Sequence, residues 1–204
     1  MINNKDDRPL QYYTEKFREL DAADIAERCG IELEGNVLRF RFLNADYEIS
    51  HPDCVFTSGE KGKYLPLVED VHAQILMLRF LTEGSSASSS GRFLTYRDMP
   101  WGNVYFEQFK GRCILRLAYS FGRDIASFAK AAEAIGGVRL SDGDISYEIR
   151  LINGLLLRLI LWEADDEFPP SSQILFSDNF PVAFTAEDMA AVGDVVIGTL
   201  KKQL

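Results

Sequence analysis

The densest group of metal-ligating side chains in the sequence is Glu163-Ala164-Asp165-Asp166-Glu167, four carboxylates in five residues. Hard divalent cations take oxygen ligands, so Asp165, Asp166 and Glu167 are the candidate ligands for Mg2+ or Ca2+. The same run can receive a basic partner. Its spacing does not follow an EF-hand loop, which needs a turn-forming Gly and a terminal bidentate Glu at fixed positions. The competing reading is a solvated loop exit, one of whose acids pairs with Arg150 or Arg158.

A second concentration of chemistry is positive. Arg92, Arg97, Lys110, Arg112, Arg116 and Arg123 lie in the middle of an acidic chain, interleaved with Tyr96, Trp101, Tyr105, Phe106 and Phe109. Guanidinium groups beside aromatic faces can hold an anionic ligand or partner. Arg112, Arg116 and Arg123 are therefore a candidate anion or partner surface. Arg112 and Arg116 stand one helical turn apart, which also fits a helix face wetted by arginines above an aromatic core.

His51-Pro52-Asp53-Cys54 puts an imidazole, a carboxylate and a thiol together, but zinc needs about four ligands and His72 is the other histidine of the chain. A Cys–His nucleophilic pair with Cys54 or Cys113 is conceivable. Ordinary histidines and small semi-buried thiols are the simpler reading. Gly136-Gly137 closes a helix rather than opening one, the wrong order for phosphate binding. No P-loop, dinucleotide fingerprint or nucleophile elbow is present.

These residues need a frame. Gln11–Leu20 reads as a first helix, and Asp21 as the N-cap of a second that ends at Cys29 with Gly30 beyond. Gly35-Asn36 and Asn44-Ala45-Asp46 mark turns of an antiparallel meander near 31–50, with Leu38, Phe40 and Phe42 alternating against Arg39 and Arg41. Pro66 opens a helix with Glu69 and Asp70 in its first turn and an apolar stripe of Val68, Val71, Ile75, Leu78 and Leu81. Ser/Gly-rich Gly84–Gly91 reads as a flexible surface loop. Arg112–Phe121 and Ile125–Ile135, the latter capped by Asp124, read as helices.

The clearest local signal is the hairpin 145–162. Asn153-Gly154 is a preferred two-residue turn, which places Leu151 opposite Leu156, Ile149 opposite Arg158 and Tyr147 opposite Ile160. Leu155, Leu157, Leu159 and Leu161 then share one face and demand a covering layer. A last helix starts at Thr185, with Asp188 as capping-box partner and Met189, Val192, Val196 and Leu200 as its buried stripe. The expectation is an α+β fold in which antiparallel strands pack with about five helices in a single compact domain over residues 1–204.

The chain has 204 residues, 47% of them apolar and 26% charged, an ordinary globular balance. Its net charge of −9 disfavours nucleic acid and anionic membranes as partners. Met1–Leu10 has no apolar signal region, and the apolar run Leu155–Trp162 is too short to cross a bilayer. Three scattered cysteines suggest no disulfide framework and a reducing cytoplasm as the location.

Glu163–Pro170, followed by Ile174-Leu175-Phe176 and Phe184–Asp188, resembles the C-terminal signature of the bacterial and archaeal family called domain of unknown function 3786. Asp21–Gly30, Arg97–Trp101 and the Asp144–Trp162 hairpin resemble it as well. The resemblance implies a stand-alone cytoplasmic protein, mostly of anaerobes, with accessory work in anaerobic metabolism, and it assigns no active-site residue. The reading that results is a non-catalytic binding or accessory protein that recognises a protein partner or a small ligand and has no resident cofactor. The alternative is a metal-dependent enzyme or ligand-binder that uses the acidic segment 163–167.

Overall fold

Two antiparallel sheets carry the chain. The computed structural model describes residues 7–204, so most of the polar stretch Met1–Leu10 lies outside the described residues. The smaller sheet has the order β1-β2-β3-β4, from Glu32–Glu34, Val37–Phe42, Ala45–Ser50 and Phe56–Thr57. The larger has the order β5-β9-β8-β7-β6, from Phe93–Thr95 (β5), Val138–Leu140 (β6), Ile145–Ile152 (β7), Leu155–Trp162 (β8) and Ser171–Ser177 (β9).

The helices outnumber the five expected. They are α1 (Asp7–Glu19), α2 (Ala22–Cys29), α3 (Pro66–Glu69), α4 (Val71–Glu83), α5 (Gly102–Phe109), α6 (Arg116–Phe121), α7 (Ile125–Ala134), α8 (Phe180–Ala183) and α9 (Ala186–Lys202). The surplus comes from short or divided elements. Asp70 does not sit in a first turn: it accepts from the His72 backbone N–H as the N-cap of α4, and so divides the helix that Pro66 opens. Val68, left on the four-residue α3, is exposed rather than part of the stripe. One buried cluster takes in Leu38 and Tyr47 from the small sheet, Leu157 and Phe176 from the large one, and Leu76 and Val196 from α4 and α9, giving one compact α+β arrangement.

The central hairpin turns at Asn153-Gly154 as the sequence predicts, but its register differs. Ile152 pairs with Leu155, the ladder then shifts between Arg150 and Ile152, and Ile149 faces Leu157 while Glu148 faces Arg158. Leu151 is the extra residue of this bulge. Its freed carbonyl accepts from the Leu43 backbone N–H at 3.0 Å, which ties the tip of the β2–β3 turn to the large sheet. Arg158 thereby meets an acid on the neighbouring strand, Glu148 at 3.1 Å, rather than one from the 163–167 loop. Leu155, Leu157, Leu159 and Leu161 are all buried, as their shared face requires.

The Ser/Gly segment 84–91 is fastened along its length. Arg28 donates to the carbonyls of Leu81 and Gly84, the Ser86 N–H donates to Arg28 O at 2.9 Å, and Asn179 Nδ2 donates to Ala87 O at 2.8 Å. At its far end the Asp178 carboxylate accepts from both hydroxyls of Ser89 and Ser90 and from the Ser90 backbone N–H. Those bonds, the Ser90 hydroxyl first, lower the Asp178 pKa from 3.8 to about 2. A depressed carboxyl stabilises the fold above its unfolded pKa and loses that contribution as pH falls through the folded value. Asp178→Asn is therefore expected to lower the melting temperature near neutral pH. The gap to wild type should narrow below about pH 4 and close near about pH 2. Thermal melts of both proteins across that range check this, and a gap independent of pH refutes it.

Candidate functional site

Phe109, Cys113, Leu117 and Phe121 are all buried and recur every four residues along one helical rod. A four-residue repeat outruns the turn of an α-helix, about 3.6 residues. The rod absorbs the difference with a π-helical stretch, Lys110–Leu115, between α5 and α6. This keeps Cys113 against α9, where its thiol donates to Ala190 O at 3.3 Å. The approach is close enough that a Cβ at Gly193 would meet Cys113 Sγ at 2.5 Å. The glycine that weakens α9 by its propensity is thus the one that lets the two helices touch.

The same stretch aims two arginines at one acid. Arg112 Nε donates to Asp194 Oδ2 at 2.8 Å, with a second bond from Nη2, and Arg116 Nη1 donates to Asp194 Oδ1 at 3.0 Å. A guanidinium carries five N–H donors, so most donors of the pair are left for another acceptor. Their positive charge exceeds that of Asp194 by one. Gly198 borders the Arg116 guanidinium, where a Cβ would meet Nη2 at 3.7 Å, an ordinary van der Waals contact.

This trio lies at a cleft of about 340 Å³ between α4, the π-containing rod and α9. Ile75, Leu76, Ala191 and Val195 give it an apolar wall, and Asp70, His72, Arg79, Glu187 and Asp188 also line it, so four carboxylates face three guanidiniums and the positive excess is local to the Arg112–Arg116 pair. Asp188 is nearly fully buried; its Oδ2 accepts from Thr185 as the capping box of α9, and its Oδ1 lies 2.6 Å from Arg79 Nε. That Arg79 N–H is not aligned on the carboxylate and has no hydrogen-bond partner.

The other candidates lie elsewhere. Arg123 lies beyond Gly122 and is not among the cleft residues. Asp165 accepts from the backbone N–H groups of Glu167 at 2.8 Å and Phe168 at 2.7 Å, a side-chain cap for its own turn. Asp166 and Glu167 are exposed. Among the described residues no group of three or more His, Cys, Asp or Glu is placed to hold a metal ion.

His51 Nε2 lies 2.9 Å from Leu20 O, and because a carbonyl only accepts, Nε2 carries the proton and the ring fastens β3 to the end of α1. Burial pushes the Cys29 thiol up to about 11 and the Cys113 thiol up to about 12, and it raises Cys54 as well. None of the three is a thiolate near neutral pH.

A family model described as a domain of unknown function (DUF3786) matches residues 21–199. The chain belongs to that family. No curated protein and no solved structure matches it. Within this DUF3786 chain the matched span contains both sheets and the whole cleft, from Asp70 to Gly198. No helix among its described residues is long and apolar enough to cross a membrane.

Sequence reasoning named Arg112 and Arg116 but missed Asp194, which lies about eighty residues away and has no local signature. It read Asp188 as a cap alone and passed over Arg79. One usable signal was present: the sustained four-residue spacing from Phe109 to Phe121, which an α-helix alone cannot keep on one face.

Proposed function

We propose that the protein is a cytoplasmic small-molecule binding protein that holds an organic anion in the cleft between α4, the π-containing rod and α9. The observation that carries this reading is the convergence of Arg112 and Arg116 on the single carboxylate of Asp194 beside an apolar wall. Paired guanidiniums recognise carboxylate or phosphate through parallel N–H···O bonds. The cleft lies within the range of small-ligand pockets, about 300–1,000 Å³. Three buried or half-buried free thiols suit a reducing compartment, and their raised pKa values favour binding over thiol catalysis.

The test is calorimetric titration with butyrate and with inorganic phosphate. Saturable binding is expected from at least one probe, with affinity that falls as salt shortens the screening length from about 10 Å at 0.1 M. Arg112→Ala with Arg116→Ala should weaken it by more than about tenfold, or about 1.4 kcal/mol. Arg112→Lys, which keeps the charge but loses the fork, should fall between. Absence of saturation by either probe overturns the reading.

A further inference from the structure

A second cavity of about 260 Å³ begins on the other side of Arg79 and Asp188, which line both. Its character is different: Pro100, Trp101, Pro181, Val182, Phe184 and Met189 make half of its lining, with Glu83 as a further acid.

Trp101 is positioned by a tight turn. Asp98 closes a capping box on Thr95, the chain makes one 3-10 turn over Tyr96–Asp98, and Gly102 N donates to Met99 O at 2.9 Å. Gly102 sits so close to the preceding backbone that a Cβ would lie 1.8 Å from Tyr96 O. Trp101, just before it, takes φ 64 and ψ 2, a left-handed conformation that bulky residues avoid. Its side chain is 75% exposed, the highest value for a large hydrophobic among the described residues. A strained backbone that presents an indole to water contributes nothing to the core. Such strain persists only where the surrounding structure holds it, and it clusters at functional sites.

Trp101 and Arg112 belong to the same rod. At about 1.5 Å of rise per residue their backbones stand about 16 Å apart along its axis. Between them lies the Arg79–Asp188 pair, whose guanidinium also rests 5.3 Å from the Tyr13 ring. We propose that the two cavities form one trough, and that its ligand is an elongated amphipathic carboxylate. The carboxylate is held by Arg112 and Arg116, the apolar chain crosses the Arg79–Asp188 pair, and the far end rests on Trp101. This rests on the anion reading above and adds the ligand class to it.

Dodecanoate, whose length matches the rod segment, and butyrate, which reaches only the arginines, separate the two claims. Dodecanoate is expected to bind at least about 30-fold more tightly, since each buried methylene adds about fourfold. It should also shift the tryptophan emission to shorter wavelength in wild type but not in Trp101→Ala, where Trp162 alone emits, and butyrate should shift neither. Trp101→Ala should lose about tenfold in dodecanoate affinity while butyrate binding stays within about twofold, and Arg112→Ala with Arg116→Ala should weaken both probes. If butyrate saturates but dodecanoate binds no better, or if Trp101→Ala leaves dodecanoate binding unchanged, the trough is refuted and the anion site survives. If neither carboxylate nor inorganic phosphate saturates, both fall.

Discussion

Phe109→Ala is expected to destabilise the fold by about 3–5 kcal/mol, the range for removing a large buried aromatic. The ring is fully buried, stacks parallel to Tyr96 with centroids 3.9 Å apart, and lies 5.9 Å from the Phe176 centroid on β9. Its loss would open a cavity between the rod and the large sheet. Tyr96 cannot follow the gap inward, because its hydroxyl is held by Ala186 O at 2.7 Å at the start of α9. A domain of this size has about 5–15 kcal/mol of stability in all, so the variant should be only marginally folded. Urea unfolding checks this: the midpoint should fall while the slope stays constant. Phe109→Leu, which keeps most of the volume, should cost less than about 1.5 kcal/mol. A loss below about 1 kcal/mol for Phe109→Ala would mean that the site collapses freely and that the rod is not braced as described.

The fold was largely legible because its signals are local. Asp21, Asp124 and Thr185 cap the helices that follow them, and Gly30 takes the left-handed conformation that ends α2. The leucine face of β8 demanded a cover and has one. Errors arose where a local rule met a tertiary demand. The turn rule at Asn153-Gly154 fixes the pairing next to the turn, but Leu151 leaves the ladder because Leu43 needs its carbonyl. Leu151 and Ile152 are both fully buried, so burial pattern alone carried no trace of the extra residue. Pro66 and Asp70 are both helix-start signals; read together they gave one helix, whereas each starts its own.

The cleft was less legible for a different reason. Charge pairing is decided by distance in space, and the sequence shows only distance along the chain. Arg112 and Arg116 were visible as a pair one turn apart, yet what turns that pair into a site is Asp194 on α9 and the π-helical stretch that aims at it. The acidic run 163–167 drew attention by density, but density of charge does not converge. Its side chains point into solvent or cap their own backbone.

Gly193→Ala brings the frame and the cleft into one experiment. Ala is the better helix former by about 1 kcal/mol, so propensity alone predicts a gain in stability. The close approach predicts the reverse, because the added Cβ would stand 2.5 Å from Cys113 Sγ and 3.1 Å from Cys113 Cβ. Overpacking of this kind costs about 1–3 kcal/mol. Cys113 is fully buried and its thiol is anchored on Ala190 O, so little can yield, and a net loss of about 2 kcal/mol is expected. Cys113→Ala in the Gly193→Ala background removes the sulfur and should recover about 1 kcal/mol, a favourable coupling that distant sites would not show. The cleft reports on the same displacement. If the rod retreats from α9, Arg112 and Arg116 move away from Asp194, so Gly193→Ala should weaken butyrate binding while Cys113→Ala alone should leave it near wild type. A Gly193→Ala protein that is as stable as wild type and binds butyrate equally well would show that the rod does not depend on this contact, and the geometric basis for the arginine pair would go with it.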